Sequence, residues 1–357
     1  MLKIKISLGW SMPLKGTNPY NNDLPIFNFT NTSNNVYNNK KFYINSEIEN
    51  PDFWFVVENT RKAEIEKVEI PSNRVYLLNS ETRYNDRYYR RSSKKKFINQ
   101  FNKIYTPYNV NSKKTIESPP FLIWRLRGDP FEDIFEESDI EFYKKFNPEK
   151  KKLLSVYCSG KTETKTQKLR LEFVKKLKLF FGDDMDWFGY DVKTDRKLDG
   201  IVDYKYHLVL ENQLKNNFIS EKLYDSFLGN SYPIYAGAPN ANKYFNKNSF
   251  TSINLLKFEE SLEIIKECAN NQFFEKNIEN INSAKNKVLD KFNFIKRIDS
   301  IVEKIIEKEN FIYQTEPISI YPKIYFENKS ISEKIKYSLK KRWGDYKLFL
   351  KFLGKNF

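Results

Sequence analysis

The stretch from Tyr204 to Pro239, YKYHLVLENQLKNNFISEKLYDSFLGNSYPIYAGAP, limits what this chain can fold into more than any other. Lys205 to Leu210 is a short β-branched and apolar run that stops at the polar pair Glu211-Asn212, the pattern of a buried strand delivering side chains at its carboxyl end. Ser220 suits a helix N-cap; Leu223, Tyr224, Phe227 and Leu228 follow at helical spacing, Gly229 ends the pattern, and Tyr232 to Ala236 restarts an apolar strand. The stretch therefore predicts strand, loop, helix and strand. Glu211, Asn212, Asn217, Ser220, Glu221 and Lys222 would then gather near one strand end and one helix N-terminus. Free backbone N–H groups and the helix dipole favour an anion there, and carboxylates and amides exchange hydrogen bonds with hydroxyls, so phosphates and sugars fit. An ordinary capped helix with a solvated Glu and Lys has the same composition, and residue types alone leave both readings open.

The rest of the chain frames that unit as α/β. With 357 residues it is long enough for two domains, and 40% hydrophobic with 16% aromatic residues argues for a folded chain rather than disorder. Leu2 to Leu8 alternates as a first strand, and Phe53 to Val57 and Val75 to Leu78 suit parallel strands. Residues 11–50, rich in Asn, Pro and Tyr without a sustained period, predict a long surface segment with short strands at most. Residues 129–152 turn acidic and then basic, with Pro148 at the change, and predict the linker between domains 1–150 and 151–310. Leu153 to Cys158 predicts a strand, Ser159-Gly160-Lys161 a tight turn, and Lys168 to Phe181 a helix with Leu169, Phe173, Leu177 and Phe180 on one face. Phe250 to Ile253 reads as a last strand, Phe258 to Cys268 as an amphipathic helix, residues 272–309 as a long helical region, and residues 311–357 as a helical extension.

Several function classes fall away. No apolar run is long enough to cross a bilayer and MLKIKISLGW lacks a secretory stretch, so the chain is expected to stay in the cytoplasm. Its two cysteines, Cys158 and Cys268, are expected as free buried thiols. The single histidine, His207, rules out a Ser-His-Asp triad and argues against zinc. Asp184-Met185-Asp186 spells D-x-D, a metal signature elsewhere, but it precedes the apolar Trp187-Phe188-Gly189 where a turn is needed, so no metal is assigned. The net charge of +15 comes with abundant Lys, Asn and Ile; it supports an anionic ligand or surface and no more. Arg83, Arg87, Arg90, Arg91 and Lys94 to Lys96, interleaved with Tyr84, Tyr88 and Tyr89, fit a nucleic-acid platform or, by preference, a solvated, partly helical face. Ser338 to Phe357 carries aromatic residues among lysines, which suits an anionic membrane surface or packing back across the first domain.

Leu210-Glu211-Asn212-Gln213, Phe218-Ile219-Ser220-Glu221-Lys222, Pro233-Ile234-Tyr235-Ala236-Gly237-Ala238-Pro239 and Ser249-Phe250 occur in that order. Together they resemble the donor-binding segment of bacterial α-1,3-fucosyltransferases, glycosyltransferase family ten, with its F-E-N-S, Y-[IV]-T-E-K, P-[VI]-x-x-G-x-P and S-F. Phe218, Ser220 and Gln213 replace the usual Tyr, Thr and Ser. The resemblance implies two Rossmann-like domains facing a cleft (the GT-B type) and inverting transfer of fucose from GDP-fucose to an oligosaccharide or glycolipid hydroxyl (α-1,3/4-type). Surface polysaccharide or lipopolysaccharide O-antigen is the implied setting. It also implies donor-binding roles for Ser159, Arg170, Glu211, Asn212, Phe218, Glu221 and Lys222. Arg170 and Lys222 would meet the diphosphate, so that no divalent metal or other cofactor is required; Asn212 and Glu221 would hold hydroxyls, and Phe218 would offer a flat apolar contact. Glu81, between the Val75 to Leu78 strand and Phe97-Ile98-Asn99-Gln100-Phe101, takes the place of the general base, although its loop lacks the family's usual G-E pair. The alternatives are a transferase using another GDP-sugar, a protein of this kind that has lost catalysis, and a basic nucleic-acid-binding protein. The leading reading expects a GDP-sugar donor, peripheral contact with an anionic membrane through 338–357, and no nucleic acid.

Overall fold

Runs that are apolar on every residue, such as Phe53–Val57 and Val75–Leu78, have both faces to bury, which a parallel sheet covered by helices provides. A computed structural model describes residues 1–9, 24–80, 92–108, 113–131, 133, 135–190, 192, 194–308 and 316–326. Its first sheet contains β1 (Leu2–Leu8), β2 (Val36–Tyr37), β3 (Lys40–Ile44), β4 (Phe53–Val57), β6 (Val75–Leu78), β7 (Lys103–Thr106) and β8 (Thr115–Glu117), in the order β2-β3-β1-β4-β6-β7-β8. All pairs are parallel except β2 with β3. The second sheet is wholly parallel, with order β10-β9-β11-β12-β13: β9 is Lys152–Tyr157, β10 Met185–Phe188, β11 Tyr204–Leu210, β12 Tyr232–Ala236 and β13 Thr251–Ser252. In this sheet the chain lays β9 first, places β10 on one side of it and β11 on the other. That reversal opens a crevice at the carboxyl ends of β9 and β11, where open α/β sheets bind ligands.

The expected two α/β units are therefore present, and several expected strands have the expected bounds. The helix expected from Lys168 starts earlier, at Lys165, because Thr164 and Gln167 form a reciprocal capping box. Three expectations change. The described part of the 11–50 segment has the expected short strands and exposed turns but also contributes to the core: Leu24, Ile26, Phe29, Phe42 and Ile44 are buried, and β3 pairs along its length with β1. Asparagines in the left-handed region, among them Asn31, Asn34, Asn35, Asn38 and Asn39, turn the chain so often that the apolar residues never acquire a readable period. The 129–152 linker contains a helix, Asp139–Lys145, capped by Ser138. The 272–309 region is broken into Phe273–Lys276, Ile278–Lys287, a π-turn at Val288–Phe292 and Phe294–Ile306, the last capped by Asn293.

That last helix returns to the first domain. Phe294 lies 6.2 Å from the rings of both Phe29 and Phe131. Arg297 donates to the carbonyls of Pro119 and Pro120 at 2.7 Å each and to Ser118 Oγ at 2.8 Å, while Asp299 pairs with Lys40 at 2.7 Å. Further on, β14 (Glu316–Ile320) pairs antiparallel with β5 (Glu66–Ile70), so this portion of the expected helical extension is a strand packed on the first domain. Glu81, the run from Arg83 to Arg91 and the basic tail 338–357 lie outside the described residues. Among the described residues no helix is long and apolar enough to cross a membrane.

Candidate functional site

Two strand ends build the crevice. β9 runs out into buried Cys158 and exposed Ser159, and β11 into buried Glu211 and half-buried Asn212. The helix Lys165–Phe181 brings Arg170 back over the gap; it is 6% exposed, and its Nη1 donates to Asn212 Oδ1. Arg170 also lies against the Cys158 thiol, whose pKa burial raises although the guanidinium pulls it down. Arg170 Nε has no hydrogen-bond partner among the described residues. A largely desolvated guanidinium held on one edge by Asn212 places a fixed positive charge at this strand end, which favours an oxyanion nearby.

The second part grows from Glu211. Its carboxylate accepts from Ser220 N at 2.7 Å and from Ser220 Oγ at 2.6 Å, tying the end of β11 to the start of the helix Glu221–Leu228, which Ser220 caps by accepting from Lys222 N at 3.3 Å. Gly237 makes room for this joint, since a Cβ there would lie 2.6 Å from Glu211 Cγ. Glu211 is fully buried, so it fixes the helix N-terminus and does not present a carboxylate to a ligand, contrary to the expected donor contact. Lys222 Nζ donates to Glu221 Oε1 at 3.0 Å and to Ser220 Oγ at 3.3 Å. Burial opposes charge on Glu221, but Lys222 and Lys197 outweigh it and hold the carboxyl at about 2. Arg170, Asn212, Glu211, Ser220, Lys222 and Glu221 are thus linked around one strand end. Ser159 stands exposed on the neighbouring strand end and, among the described residues, makes no hydrogen bond to this cluster.

The loop between β11 and the helix faces the first domain. Asn217, with φ +64°, donates to Glu117 Oε2 at 3.2 Å and accepts from Asn240 Nδ2 at 2.7 Å and the Tyr244 hydroxyl at 2.6 Å. Glu117 closes β8, so the carboxyl ends of the two sheets meet here. Phe218 is fully buried in a cluster with Trp54, Val56, Leu77, Phe97 and Tyr108. The expected flat contact for a donor is therefore corrected: Phe218 anchors the loop to the first domain.

Two residues of this cluster were not among the sequence-derived candidates. Lys197, in the 3₁₀ turn Lys197–Gly200, donates to Asp225 Oδ2 and lies 3.9 Å from Glu221 Oε1. Asp225 follows Glu221 by one helical turn, which a charge scan of the helix would have noticed; Lys197 comes from a loop whose spacing points nowhere. His207 is buried against Ser155 Oγ at 2.8 Å and held down to about 3 by burial, then by Lys197 and Lys150, so it is neutral and structural. Asp184 ends a turn as expected, while Asp186 is taken by Lys152 at 2.8 Å and the Tyr204 hydroxyl at 2.5 Å.

Burial of Glu211 has a measurable consequence. Desolvation pushes its carboxyl up from 4.5 to about 7, even though Lys222 and the Ser220 bonds pull it down. The folded chain then keeps a proton that the unfolded chain has released, so this group's contribution to stability falls as pH rises from about 4.5 to about 7. Glu211→Gln keeps both links to Ser220 and removes the titration. Between about pH 5 and about pH 8 the variant should lose less stability than the parent, by roughly 2–3 kcal/mol. Urea unfolding at the two pH values measures this, and equal losses would show that Glu211 is ionised throughout.

Comparison with known proteins identifies the segment that holds this site. Residues 147–275 match the family described as Glycosyltransferase family 10 (fucosyltransferase) C-term. The chain is 35% identical over 79 residues to the alpha-(1,3)-fucosyltransferase FucT of Helicobacter pylori, a match that spans 22% of this chain and 16% of that protein. Among solved structures it is similar to an alpha1,3-fucosyltransferase with GDP, at 16% identity and a TM-score of 0.47 over 87% of this chain and 91% of that one. The same comparison with an alpha1,3-fucosyltransferase bound to GDP-fucose gives 16% identity and a TM-score of 0.48 over 88% and 92%.

Proposed function

We propose, from a second domain that carries the family 10 signature, that this chain is an inverting glycosyltransferase moving fucose from GDP-fucose to a glycan hydroxyl. The observation that carries the reading is that Arg170, held by Asn212, and Lys222, held by Glu221 and Ser220, gather two cations around the carboxyl end of β11 at the sheet's reversal point. Departure of GDP leaves negative charge on the diphosphate. Arg170, Lys222 and the N-terminus of the helix Glu221–Leu228 are fixed positive groups that stabilise it, so the charge balance calls for no divalent ion in our reading. Asn212 holds Arg170 in place and Glu221 holds Lys222. The acceptor oxygen attacks the anomeric carbon as the bond to the diphosphate breaks, and Glu81 takes the acceptor's proton. A glycolipid or surface-polysaccharide acceptor, met at the inner face of a membrane through the basic tail 338–357, fits the chain's charge.

A thermal-shift panel tests the donor class. GDP and GDP-fucose are expected to raise Tm, since a ligand at a hundredfold its Kd adds about 2.7 kcal/mol of stability, whereas UDP-sugars and oligonucleotides leave it unchanged. GDP-mannose in the same panel separates the fucose reading from another GDP-sugar. No response to GDP would sink the proposal.

A further inference from the structure

Below the donor cations lies a second, unassigned charge cluster. Glu221 and Asp225 project from the same side of their helix, one turn apart, and Asp225 is fully buried. Glu221 Oε2 and Asp225 Oδ1 have no hydrogen-bond partner among the described residues. Two ammonium groups serve these two carboxylates: Lys222, at 3.0 Å from Glu221 Oε1, and Lys197, which donates to Asp225 and sits 3.9 Å from that same Glu221 oxygen. The turn holding Lys197 is rigidly placed. Its Leu198 N–H donates to the Leu126 carbonyl at 2.9 Å, and a Cβ on Gly200 would meet the Tyr157 ring at 2.6 Å or less.

The charge count then decides what Lys222 is able to do. With Lys197 in place, each buried carboxylate has a cation of its own, and Lys222 can turn an N–H toward a diphosphate without leaving Glu221 unbalanced. Without Lys197, one ammonium would face two desolvated carboxylates, and an anionic ligand arriving beside them would be repelled. We propose that Lys197 is a positioning residue for the donor: it neutralises Asp225 and shares Glu221, and so leaves Lys222 available to the nucleotide diphosphate. This inference rests on the donor reading above.

Of the other groups facing the cluster, the two tyrosines and the histidine stay neutral around pH 7. Tyr143, on the helix Asp139–Lys145, has its pKa raised well above the ordinary value by burial. Tyr157, at the end of β9, is likewise raised by burial, and His207 on β11 is held at about 3. Glu211, pushed up to about 7, is common to parent and variants, so its proton cancels in their comparison. Asp225 is pushed up to about 6 by burial even with Lys197 beside it, and would rise further without it.

Titration calorimetry with GDP on the full chain tests the inference at about pH 6 and about pH 8.5, since the charged fraction of Asp225 in a Lys197→Met variant grows as pH rises. The unaltered chain binds GDP. Lys197→Met is expected to bind at least about tenfold more weakly, with the deficit growing as pH rises, because a charged Asp225 then faces the diphosphate unbalanced. Lys197→Arg restores most of the affinity. Should Lys197→Met not fold, Lys197→Met/Asp225→Asn, which buries no unpaired Asp225 charge, is compared with Asp225→Asn; the double variant must bind GDP more weakly, since Glu221 has still lost its second cation. Equal affinities in that pair, or a Lys197→Met deficit that is absent or independent of pH, overturns the inference while leaving the donor reading intact. Failure of the unaltered chain to bind GDP overturns both.

Discussion

Arg170→Ala is expected to weaken GDP binding on the order of 100-fold and to lower transfer by more than that, with the chain still folded. Truncating one partner of a buried charge-assisted contact costs about 2–5 kcal/mol, and about 2.8 kcal/mol is a hundredfold in Kd. The extra loss in turnover follows from the proposed reaction: charge on the diphosphate would grow as GDP departs, so a fixed guanidinium would be worth more in the transition state than in the bound donor. Arg170→Lys recovers only part of the activity, because an ammonium is a single point and cannot hold Asn212 and a phosphate along two edges at once. Lys222→Ala is expected to be milder in binding. Its side chain is 20% exposed and its charge is already partly spent on Glu221, so less net attraction is lost. Calorimetric Kd for GDP beside steady-state rates separates the two effects. Unchanged GDP affinity in both variants would remove the cationic crevice from the donor site.

Much of this crevice was legible because its parts lie close together in the chain. The strand, cap, helix and strand between Tyr204 and Ala236 are local patterns, and Ser220 caps where its spacing says it should. What the pattern leaves undetermined is which polar residues face a ligand. Glu211 and Phe218 sit inside the motif yet are both fully buried, one spent on Ser220 and the other on the first domain's core. Lys197 is invisible for the opposite reason. Its partner Asp225 lies far along the chain, and only the packing of the 3₁₀ turn beside the helix brings them together. The asparagine-rich entry to the first sheet hides its core residues on similar grounds: left-handed asparagines let five buried apolar residues reach the core from a segment whose average composition is polar.

Glu81→Gln is expected to leave GDP affinity unchanged and to lower transfer by about 10²–10⁴-fold, the range associated with a positioned general base. The amide keeps the size of the side chain and much of its hydrogen bonding but cannot accept the acceptor's proton at neutral pH. Glu81 itself lies outside the described residues, and the chain before it is held as follows. β6 ends at Leu78, Asn79 N–H donates to the Tyr105 carbonyl at 2.9 Å, and buried Ser80 N–H donates to Glu58 Oε1 at 2.6 Å. Ser80 thus ends the described chain at the carboxyl edge of the first sheet, the edge whose Glu117 accepts from Asn217 in the second domain. Glu58 is the obvious rival carboxylate on that edge. Its two oxygens are committed, one to Ser80 and the other to Lys323 at 2.8 Å, so it braces the strand end and is poorly placed to accept a substrate proton. Glu58→Gln should consequently retain far more activity than Glu81→Gln. Initial rates of GDP release with a glycan acceptor, measured beside calorimetric GDP affinity, decide between them. A Glu81→Gln variant that turns over at the parent's rate would move the base elsewhere on this edge, while one that also lost GDP binding would show that residue 81 serves the donor and not the acceptor.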